Sequence, residues 1–362
     1  MRNLASIKRI NEIHPIKDRD RIVLAIIDGW SVIVKKDEFK VGDLCVYVEI
    51  DSVLPEREEF EFLRDKNFRI KTMKMAGVIS QGICFPLDIL PDNLGIVEGT
   101  DVTDIIGVKK WERQDASDVQ DKPIAVQKRK YPKWLMRIPL FRKLLWKKNG
   151  KEARDFPSFI SKTDETRIQN APFFLAPDEP WVVTEKVDGQ SGTFALVRHK
   201  SKLPWKKDAF EYIVCSRNVR LYHKDSSSYW KVSDKYNIEN CLRELIGDDE
   251  WVAIQGECIA PNVQGNKYKV TEPDLFVFNL LRPYGRMGSL AAKEICENIG
   301  LKFVPIIDER KYLPKSVDDM LKYAHGKSAL GDTLREGVVC RSADGRKSFK
   351  AVDPLFLIKY NE

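Results

Sequence analysis

Short runs of β-branched and aromatic residues, separated by turns that contain glycine, dominate this sequence and limit the folds it can adopt. "RIVLAIIDGWSVIVKK" (21–36) places two such runs on either side of Asp28-Gly29, a pair typical of hairpin turns. "FRIKTMKMAGVISQGICFPLDIL" (68–90) indicates two further strands around Gly77. Several short strands with little helix predict a small β-barrel at the N-terminus, although the pattern does not distinguish one kind of small barrel from another.

From about residue 156 onward, β-rich runs are mixed with a few helical segments. Ser289 to Gly300 is typical of a helix with serine at its start and glycine just past its end, and Ser316 to Gly326 repeats the pattern. There is no internal repeat and no glycine-rich phosphate loop of the Walker or dinucleotide type. The chain is therefore predicted to be α+β. The strands are predicted at "PWVVTEKV", "SGTFALV", "EYIVCSR", "WVAIQGECI", "DLFVFNL", "EGVVCR" and "SFKAV".

Positive charge is concentrated in one segment between these two parts. Residues 122–154 hold twelve Lys and Arg and one acid, a local balance of +11, whereas the whole chain carries +7. Aromatic residues are interleaved with the cations, which suits a strip that contacts phosphates and bases. A solvated linker is the alternative, and prolines weaken a third possibility, a helix on a membrane surface. The candidate RNA contacts in this segment are Lys128, Arg129, Lys130 and Lys133.

Cysteine usage and the absence of apolar segments bear on the compartment. Seven cysteines, an odd number, are scattered without C-x-x-C spacing, which favours reduced thiols inside a cell over disulfides or a cysteine zinc site. No apolar run approaches the roughly 18 residues that a membrane-spanning helix needs, and the N-terminus lacks a secretory signal. We therefore expect a cytoplasmic protein with no membrane contact, although a nuclear location is not excluded.

The segment "TEKVDGQSGT" (184–193) places a cation and an anion two residues apart, just before a glycine. If the strand continued through both, Lys186 and Asp188 would point to one face and share a pocket wall. A Lys-x-Asp-Gly string is also common by chance, and a surface hairpin with a modest ion pair would explain it equally well.

Further charged residues recur at the ends of apolar strands downstream, where an unpaired charge would be costly. Arg217 follows an apolar run in "CSRN", Glu257 lies inside "AIQGECIA", and Glu336 leads into "GVV". Lys350 ends "SFK", and Phe278 lies in the aromatic strand "LFVFNL". Any one of these residues could be a structural ion pair, but the ordered set favours one site.

Taken in this order, the motifs resemble those of the covalent nucleotidyltransferases, the superfamily of polynucleotide ligases and RNA-capping enzymes. Within it the sequence is most similar to ATP-dependent RNA ligases, in particular the nick-sealing subgroup with an oligonucleotide-binding (OB) domain at the N-terminus. "FPSFISKTDETRIQN" (156–170) is also similar to the segment before the first motif of that family. The resemblance implies an OB-like barrel over 1–112, a basic linker over 113–155 and a ligase domain of antiparallel sheets flanked by helices over 156–362.

The resemblance also implies a chemistry, which the residue types suit. Lys186 would attack the α-phosphorus of ATP to form lysyl-AMP, with Lys350 neutralising the charge on the phosphate. Asp188 would act in the later transfer steps. The implied ATP-binding set is Glu185, Lys186, Arg217, Glu257, Phe278, Glu336 and Lys350, in which Phe278 stacks on adenine and Arg217 and Glu257 face the ribose.

Other implied features concern the metal, the RNA and a second lysine near Lys350, in the family's motif V, which "SFK" matches. Glu257 and Glu336 are hard oxygen ligands suited to Mg²⁺ or Mn²⁺. Arg167 would contact RNA. Related ligases often carry a second lysine two residues past Lys350, where this chain has Val352, so Lys347 or Lys359 is expected to supply it.

The sequence therefore predicts an ATP-dependent RNA ligase that acts as a monomer on a nicked duplex or broken strand. The alternatives are a DNA ligase, a capping enzyme, or an RNA-binding protein with an inactive nucleotidyltransferase domain. Capping enzymes and typical DNA ligases place an OB module after motif V, whereas the β-rich block here lies upstream.

Overall fold

The computed structural model describes residues 3–111, except 92–94 and 96, and residues 156–360, except 202, 204, 206 and 222–226. The basic segment and its four candidate RNA-binding cations lie outside these ranges. The described residues form antiparallel sheets with separate helices, so the α+β prediction is confirmed.

The N-terminal part is built from short antiparallel strands, as the turn-punctuated sequence predicts. The hairpin at Asp28-Gly29 is confirmed, because Ile27 pairs with Trp30 directly across the turn. The region around Gly77 holds four strands rather than two. The sheets have the orders β1-β5-β10, β2-β3-β4, β11-β6-β7 and β8-β9. Their elements are β1 (Ala5–Arg9), β2 (Glu12–Ile16), β3 (Arg19–Ile27), β4 (Trp30–Lys35), β5 (Leu44–Val48), β6 (Ser52–Val53), β7 (Arg69–Ile70), β8 (Met73–Met75), β9 (Val78–Ser80), β10 (Ile83–Phe85), the helix α1 (Thr103–Ile106) and β11 (Lys109–Lys110).

The C-terminal part contains two larger antiparallel sheets. One has four strands in the order β19-β12-β20-β21, and the other has six in the order β15-β14-β13-β16-β17-β18. All seven predicted strands are present, and β15, β18 and β19 are additional. The strands are β12 (Pro180–Lys186), β13 (Gln190–His199), β14 (Ala209–Cys215), β15 (Arg220–Leu221), β16 (Trp251–Ile259), β17 (Asp274–Arg282), β18 (Gly285–Arg286), β19 (Ile306–Tyr312), β20 (Gly337–Ser342) and β21 (Ser348–Val352).

The helices of this part pack against the sheets. They are α2 (Ser228–Lys235), α3 (Ile238–Leu245), α4 (Ser289–Asn298), α5 (Val317–Ala324) and α6 (Pro354–Tyr360). Both predicted helices are present, but only one serine caps as expected. Ser316 Oγ accepts a hydrogen bond from the Asp319 amide at 3.1 Å. Ser289 is the first helical residue, and its side chain makes no cap, so that part of the prediction is wrong.

The last helix joins the two parts into one core. Phe356 and Leu357 of α6, together with Val352 at the end of β21, are buried in the same apolar cluster as the N-terminal strands. Polar contacts reinforce the junction: the Trp30 indole donates to Asn170 at 2.7 Å, and the Asn170 amide donates to Glu49 at 2.7 Å. The end of the chain therefore stabilises the position of the N-terminal part beside the C-terminal sheets.

All seven cysteines lie within the described residues, and each is buried and unbridged, as expected for reduced thiols. Among the helices that the structure describes, none has both the length and the apolar character that a membrane crossing requires.

Candidate active site

A cavity of about 500 Å³ is lined by residues from both C-terminal sheets and by Asp51, Lys110 and Trp111 of the N-terminal part. Most of the sequence-predicted site residues meet in its wall, although they are spread over much of the chain. These are Arg167, Glu185, Lys186, Arg217, Glu257, Phe278, Glu336 and Lys350.

Lys186 is the last residue of β12, and its backbone pairs with Gly337, the first residue of β20. This register brings Glu336 beside it, and the Lys186 ammonium donates a hydrogen bond to Glu336 Oε2 at 2.5 Å. Burial alone would lower the pKa of Lys186, but the nearby Glu336 and Glu257 carboxylates outweigh burial, and the pKa is raised. In this state Lys186 is therefore a charged ion-pair donor.

Glu257 lies near the end of β16, opposite Ser191. Its Oε1 accepts a hydrogen bond from the Gly189 amide at 3.1 Å. Burial raises the pKa of Glu257 to about 8, and the charges of Glu336 and Asp188 act in the same direction. The positive charges of Lys186 and Arg217 oppose this rise without cancelling it.

This donor set fits a divalent metal that keeps water and phosphate ligands. Within the described parts of the chain, there is no cluster of three or more potential metal-binding side chains. Mg²⁺ typically binds through one or two carboxylates plus substrate phosphates and water, and Mn²⁺ shares that preference for hard oxygen ligands. Glu257 and Glu336 would supply the carboxylates.

Lys350 and Arg217 are joined by an acid that the sequence analysis did not single out. Asp164 accepts a hydrogen bond from Lys350 at 2.9 Å and forms an ion pair with Arg217 at 3.3 Å. Burial lowers the pKa of Lys350 to about 8, although Asp164 opposes the shift. Two cations are thus held at one side of the cavity, where an anionic group of a bound nucleotide would be stabilised.

Asp188 does not share a wall with Lys186, so that prediction is wrong. The strand ends at Lys186, and the alternation of faces ends with it. Asp188 is buried outside the cavity lining and pairs with Lys267. Gly189 is required for close approach rather than for the turn: a Cβ there would lie 2.5 Å from the Cys258 carbonyl oxygen.

Two other candidates have partners that limit their roles. The Glu185 carboxylate accepts hydrogen bonds from the Ser328 hydroxyl and the Ala329 amide at 2.5 and 2.8 Å, so it holds a neighbouring loop. Arg167 is 7% exposed and pairs with Asp51 of the N-terminal part at 2.9 Å, which places it in the cavity wall rather than on an open RNA-facing surface.

Neither candidate for the second motif V lysine lines the cavity. Lys347 pairs with Glu179 at 2.9 Å, and Lys359 lies over the Tyr360 ring at 5.2 Å. Lys110, from the N-terminal part, does line it. Sequence order gave no signal for Lys110, Asp51 or Trp111, because only the docking of the two parts brings them to the site.

The sequence around Glu165, beside Asp164, predicts an exposed acid, and this prediction is wrong, because the Glu165 side chain is only 16% exposed. Its carboxylate accepts hydrogen bonds from Arg286 at 2.9 Å and from the buried Arg341 at 3.2 Å. The Ser348 hydroxyl donates to its other oxygen at 2.5 Å. Burial alone would raise the pKa of Glu165, but Arg341 and Arg286 outweigh burial, and the pKa is lowered.

We expect Glu165→Ala to destabilise the fold. Removing one partner of a buried ion pair costs about 3–5 kcal/mol, because Arg341 would keep an uncompensated buried charge. Thermal unfolding at neutral pH should show a clearly lower midpoint, whereas Glu309→Ala, at an exposed acid, should leave it unchanged. Because the pKa of Glu165 is depressed, its contribution is lost as the pH falls below the ordinary carboxyl value of 4.5, and the deficit should shrink there. A deficit that grew in acid would contradict this assignment.

Comparisons with known proteins agree with this arrangement. The N-terminal residues 4–87 match a model of an OB-fold domain, and residues 179–360 match the model of the RNA ligase family. The OB-like barrel expected from the sequence is thereby confirmed. A search of curated protein sequences gives no match.

Solved structures of the RNA ligase from Naegleria gruberi are similar to this chain over its whole length. The structure with PPi is 28% identical, with a TM-score of 0.81, and the match covers 100% of this chain and 99% of that one. A variant with AMP and Mn is also 28% identical, with a TM-score of 0.80 and 98% of each chain covered. Another variant, with ATP and Mn, is 28% identical with a TM-score of 0.80. That match covers 99% of this chain and 98% of the other chain. Because the family model spans half of the sequence and contains the cavity's motif residues from Glu185 to Lys350, this chain belongs to the RNA ligase family.

Proposed function

We propose that this chain joins a 3′-hydroxyl RNA end to a 5′-phosphate RNA end, with ATP as the adenylyl donor and Lys186 as its covalent carrier. One observation carries the proposal: the Lys186 amine lies in a cavity with the carboxyl groups of Glu336 and Glu257 beside it and Phe278 in the same wall. The similar Naegleria gruberi enzyme has been solved with ATP and Mn and with AMP and Mn, which supports ATP and a divalent metal as cofactors here.

In the first step the Lys186 nitrogen attacks the α-phosphorus of ATP. The N–P bond forms, the bond to the bridging oxygen breaks, and pyrophosphate leaves with the electron pair. Lys186 must first separate from Glu336 and lose a proton, because only the neutral amine is nucleophilic. A metal held by Glu257 and Glu336 would supply positive charge that disfavours the ammonium and stabilises the phosphate.

The remaining residues orient the nucleotide. We expect Phe278 to stack on adenine, and Lys350, which pairs with Asp164, to stabilise the negative charge that develops at the α-phosphate. The resemblance assigns the ribose to Glu257 and Arg217. Water exclusion by the N-terminal residues Lys110 and Trp111 would protect lysyl-AMP from hydrolysis.

Two further transfers complete the reaction. An oxygen of the RNA 5′-phosphate attacks the phosphorus of lysyl-AMP, the P–N bond breaks, and Lys186 regains its amine. The RNA 3′-hydroxyl then attacks the 5′-phosphate, loses its proton, and displaces AMP. Membership of the RNA ligase family supports RNA over the DNA ligase and capping alternatives.

The first test is labelling with α-labelled ATP and Mg²⁺ or Mn²⁺. A covalently labelled protein is expected with ATP and not with GTP, and the label should transfer to a 5′-phosphorylated RNA. An unlabelled protein would favour the inactive RNA-binding alternative, and labelling by GTP would favour a capping enzyme.

We propose a nicked RNA duplex as substrate and RNA repair as the setting, with the protein acting as a monomer in the cytoplasm. The domain boundaries at 1–112, 113–155 and 156–362 also remain proposals. The basic segment between the two folded parts has the charge to hold a polynucleotide that contacts both.

We expect this segment to govern RNA affinity rather than chemistry. If six of its cations contact phosphates, the salt slope is about −5, and affinity falls around a thousandfold between roughly 50 and 200 mM salt. Replacing Lys128, Arg129, Lys130 and Lys133 by Ser should flatten the slope by about three to four units. Adenylylation by free ATP should stay within a few-fold.

A salt titration of nicked-RNA binding measures this effect. The control variant replaces three exposed lysines of the C-terminal part by Ser. They are Lys315, Lys322 and Lys327. Parallel slopes for wild type and the fourfold variant would identify the segment as a solvated linker.

A further inference from the structure

Asp188 and Lys267 form an ion pair with both side chains almost completely buried. Their exposed fractions are 6% and 7%. Neither residue lines the cavity that holds Lys186, although Asp188 is only two residues away from it. A carboxylate buried to this extent needs a cationic partner, so its position depends on Lys267.

Lys267 lies in a loop that contacts the turn after Lys186 at three points. The Tyr268 hydroxyl accepts a hydrogen bond from the Asp188 amide at 2.8 Å, and the Gln264 side chain donates to the Gly189 carbonyl at 3.4 Å. Those two contacts hold the backbone. Lys267 contacts a side chain of the turn, the Asp188 carboxylate, so its loss would weaken the restraint on that carboxylate while leaving the backbone contacts in place.

Lys267 is itself fixed by the helix that joins the two parts of the molecule. Its ammonium lies 5.1 Å from the ring centre of Phe356 and 4.9 Å from that of Tyr360. Phe356 is fully buried in the N-terminal core, and the Tyr360 hydroxyl is hydrogen-bonded to Thr333. Aromatic faces attract an ammonium, and the effect is larger when water is excluded. The Lys267 ammonium is therefore held in a fixed position, from which it pairs with the Asp188 carboxylate.

Lys186 is a nearby cation that would attract the Asp188 carboxylate once Lys267 is removed. Asp188 is already one of the anions whose charge acts on the Lys186 ammonium. Without Lys267, the carboxylate would be drawn towards Lys186 and would compete with the α-phosphate for its amine. A nucleophile turned away by even a small distance loses much of its rate.

We propose that Lys267 is a positioning residue, which acts through Asp188 to hold that carboxylate outside the nucleotide cavity and away from Lys186. This inference rests on the proposed function, since it concerns the adenylylation of Lys186. The loop that contains Lys267 and the helix α6 would then affect the first chemical step without contacting the nucleotide.

The test measures single-turnover formation of lysyl-AMP over a range of ATP concentrations. Lys267→Met should lower the maximal rate about tenfold or more, while half-saturating ATP stays within about threefold, because Lys267 does not line the cavity. Lys267→Arg, which keeps the charge, should recover most of the rate. Lys269→Met, at an exposed lysine of the same loop, should match wild type.

A double-mutant cycle with Asp188→Asn separates positioning from general loss of structure. If Lys267 acts through the Asp188 charge, Lys267→Met should change the rate less than about twofold in the Asp188→Asn background. The double variant removes both charges of the buried pair, so it should fold even if Lys267→Met alone does not, and thermal unfolding checks this. Equal slowing in both backgrounds, or a Lys267→Met rate close to wild type, would overturn the inference. Failure of wild type to form lysyl-AMP would instead overturn the proposed function.

Discussion

Lys186→Met is expected to abolish formation of the covalent protein–AMP adduct. Methionine fills a similar volume but has no amine, so the attack on the α-phosphorus has no nucleophile. Label from α-labelled ATP should be absent from the variant protein under conditions that label wild type fully. The same variant should still join an RNA that carries a pre-formed 5′-adenylyl group, because that step no longer needs Lys186 as carrier.

Lys322→Met serves as the matched control, since Lys322 is an exposed lysine of the same part of the molecule. It should label at the wild-type rate. Label that persists on Lys186→Met would contradict the assignment of the nucleophile. Loss of joining with the pre-adenylylated RNA would mean that Lys186 also acts after the adenylyl transfer.

Glu336→Ala and Lys350→Ala should each slow self-adenylylation by about a hundredfold or more, because each removes charge that is preorganised at the α-phosphate. The reasons differ. Glu336 holds the Lys186 amine at 2.5 Å and is a proposed metal ligand, whereas Lys350 faces the cavity from β21 with Asp164 behind it. We measure labelling rates at saturating ATP and compare them with Glu309→Ala, at an exposed acid.

Metal titration distinguishes these two roles. The defect of Glu336→Ala should decrease as Mg²⁺ or Mn²⁺ is raised, since weaker metal binding is offset by mass action. The defect of Lys350→Ala should not depend on metal concentration. Near-normal activity of Glu336→Ala at every metal concentration would remove Glu336 from the proposed metal site.

Much of the fold follows from local sequence patterns. The strands that carry Lys186, Glu257, Phe278 and Lys350 are short runs rich in β-branched and aromatic residues, and several of them end at turn residues. The motif order then predicts that these residues meet in one cavity, as they do. Pattern reasoning succeeded here because strand pairing places the ends of β12, β20 and β21 beside one another.

The departures from prediction have a different physical origin. The alternation of strand faces predicts Asp188 in the cavity wall. The strand ends two residues earlier, however, and the Asp188 carboxylate pairs with Lys267. Glu165 looked exposed because its partners Arg286 and Arg341 are distant in sequence. Contacts of this kind depend on tertiary packing, on which local propensity carries no information.

The central claim is that one lysine carries the adenylyl group from ATP to RNA, and peptide mapping tests it most directly. Wild-type protein is incubated with α-labelled ATP and Mg²⁺ and digested, and the labelled peptide is sequenced; a second sample is chased with nicked RNA that bears a 5′-phosphate. The account predicts that the label lies on Lys186 alone and moves to the RNA before AMP is released. Label on another residue, or label on Lys186 that the RNA cannot remove, would contradict it.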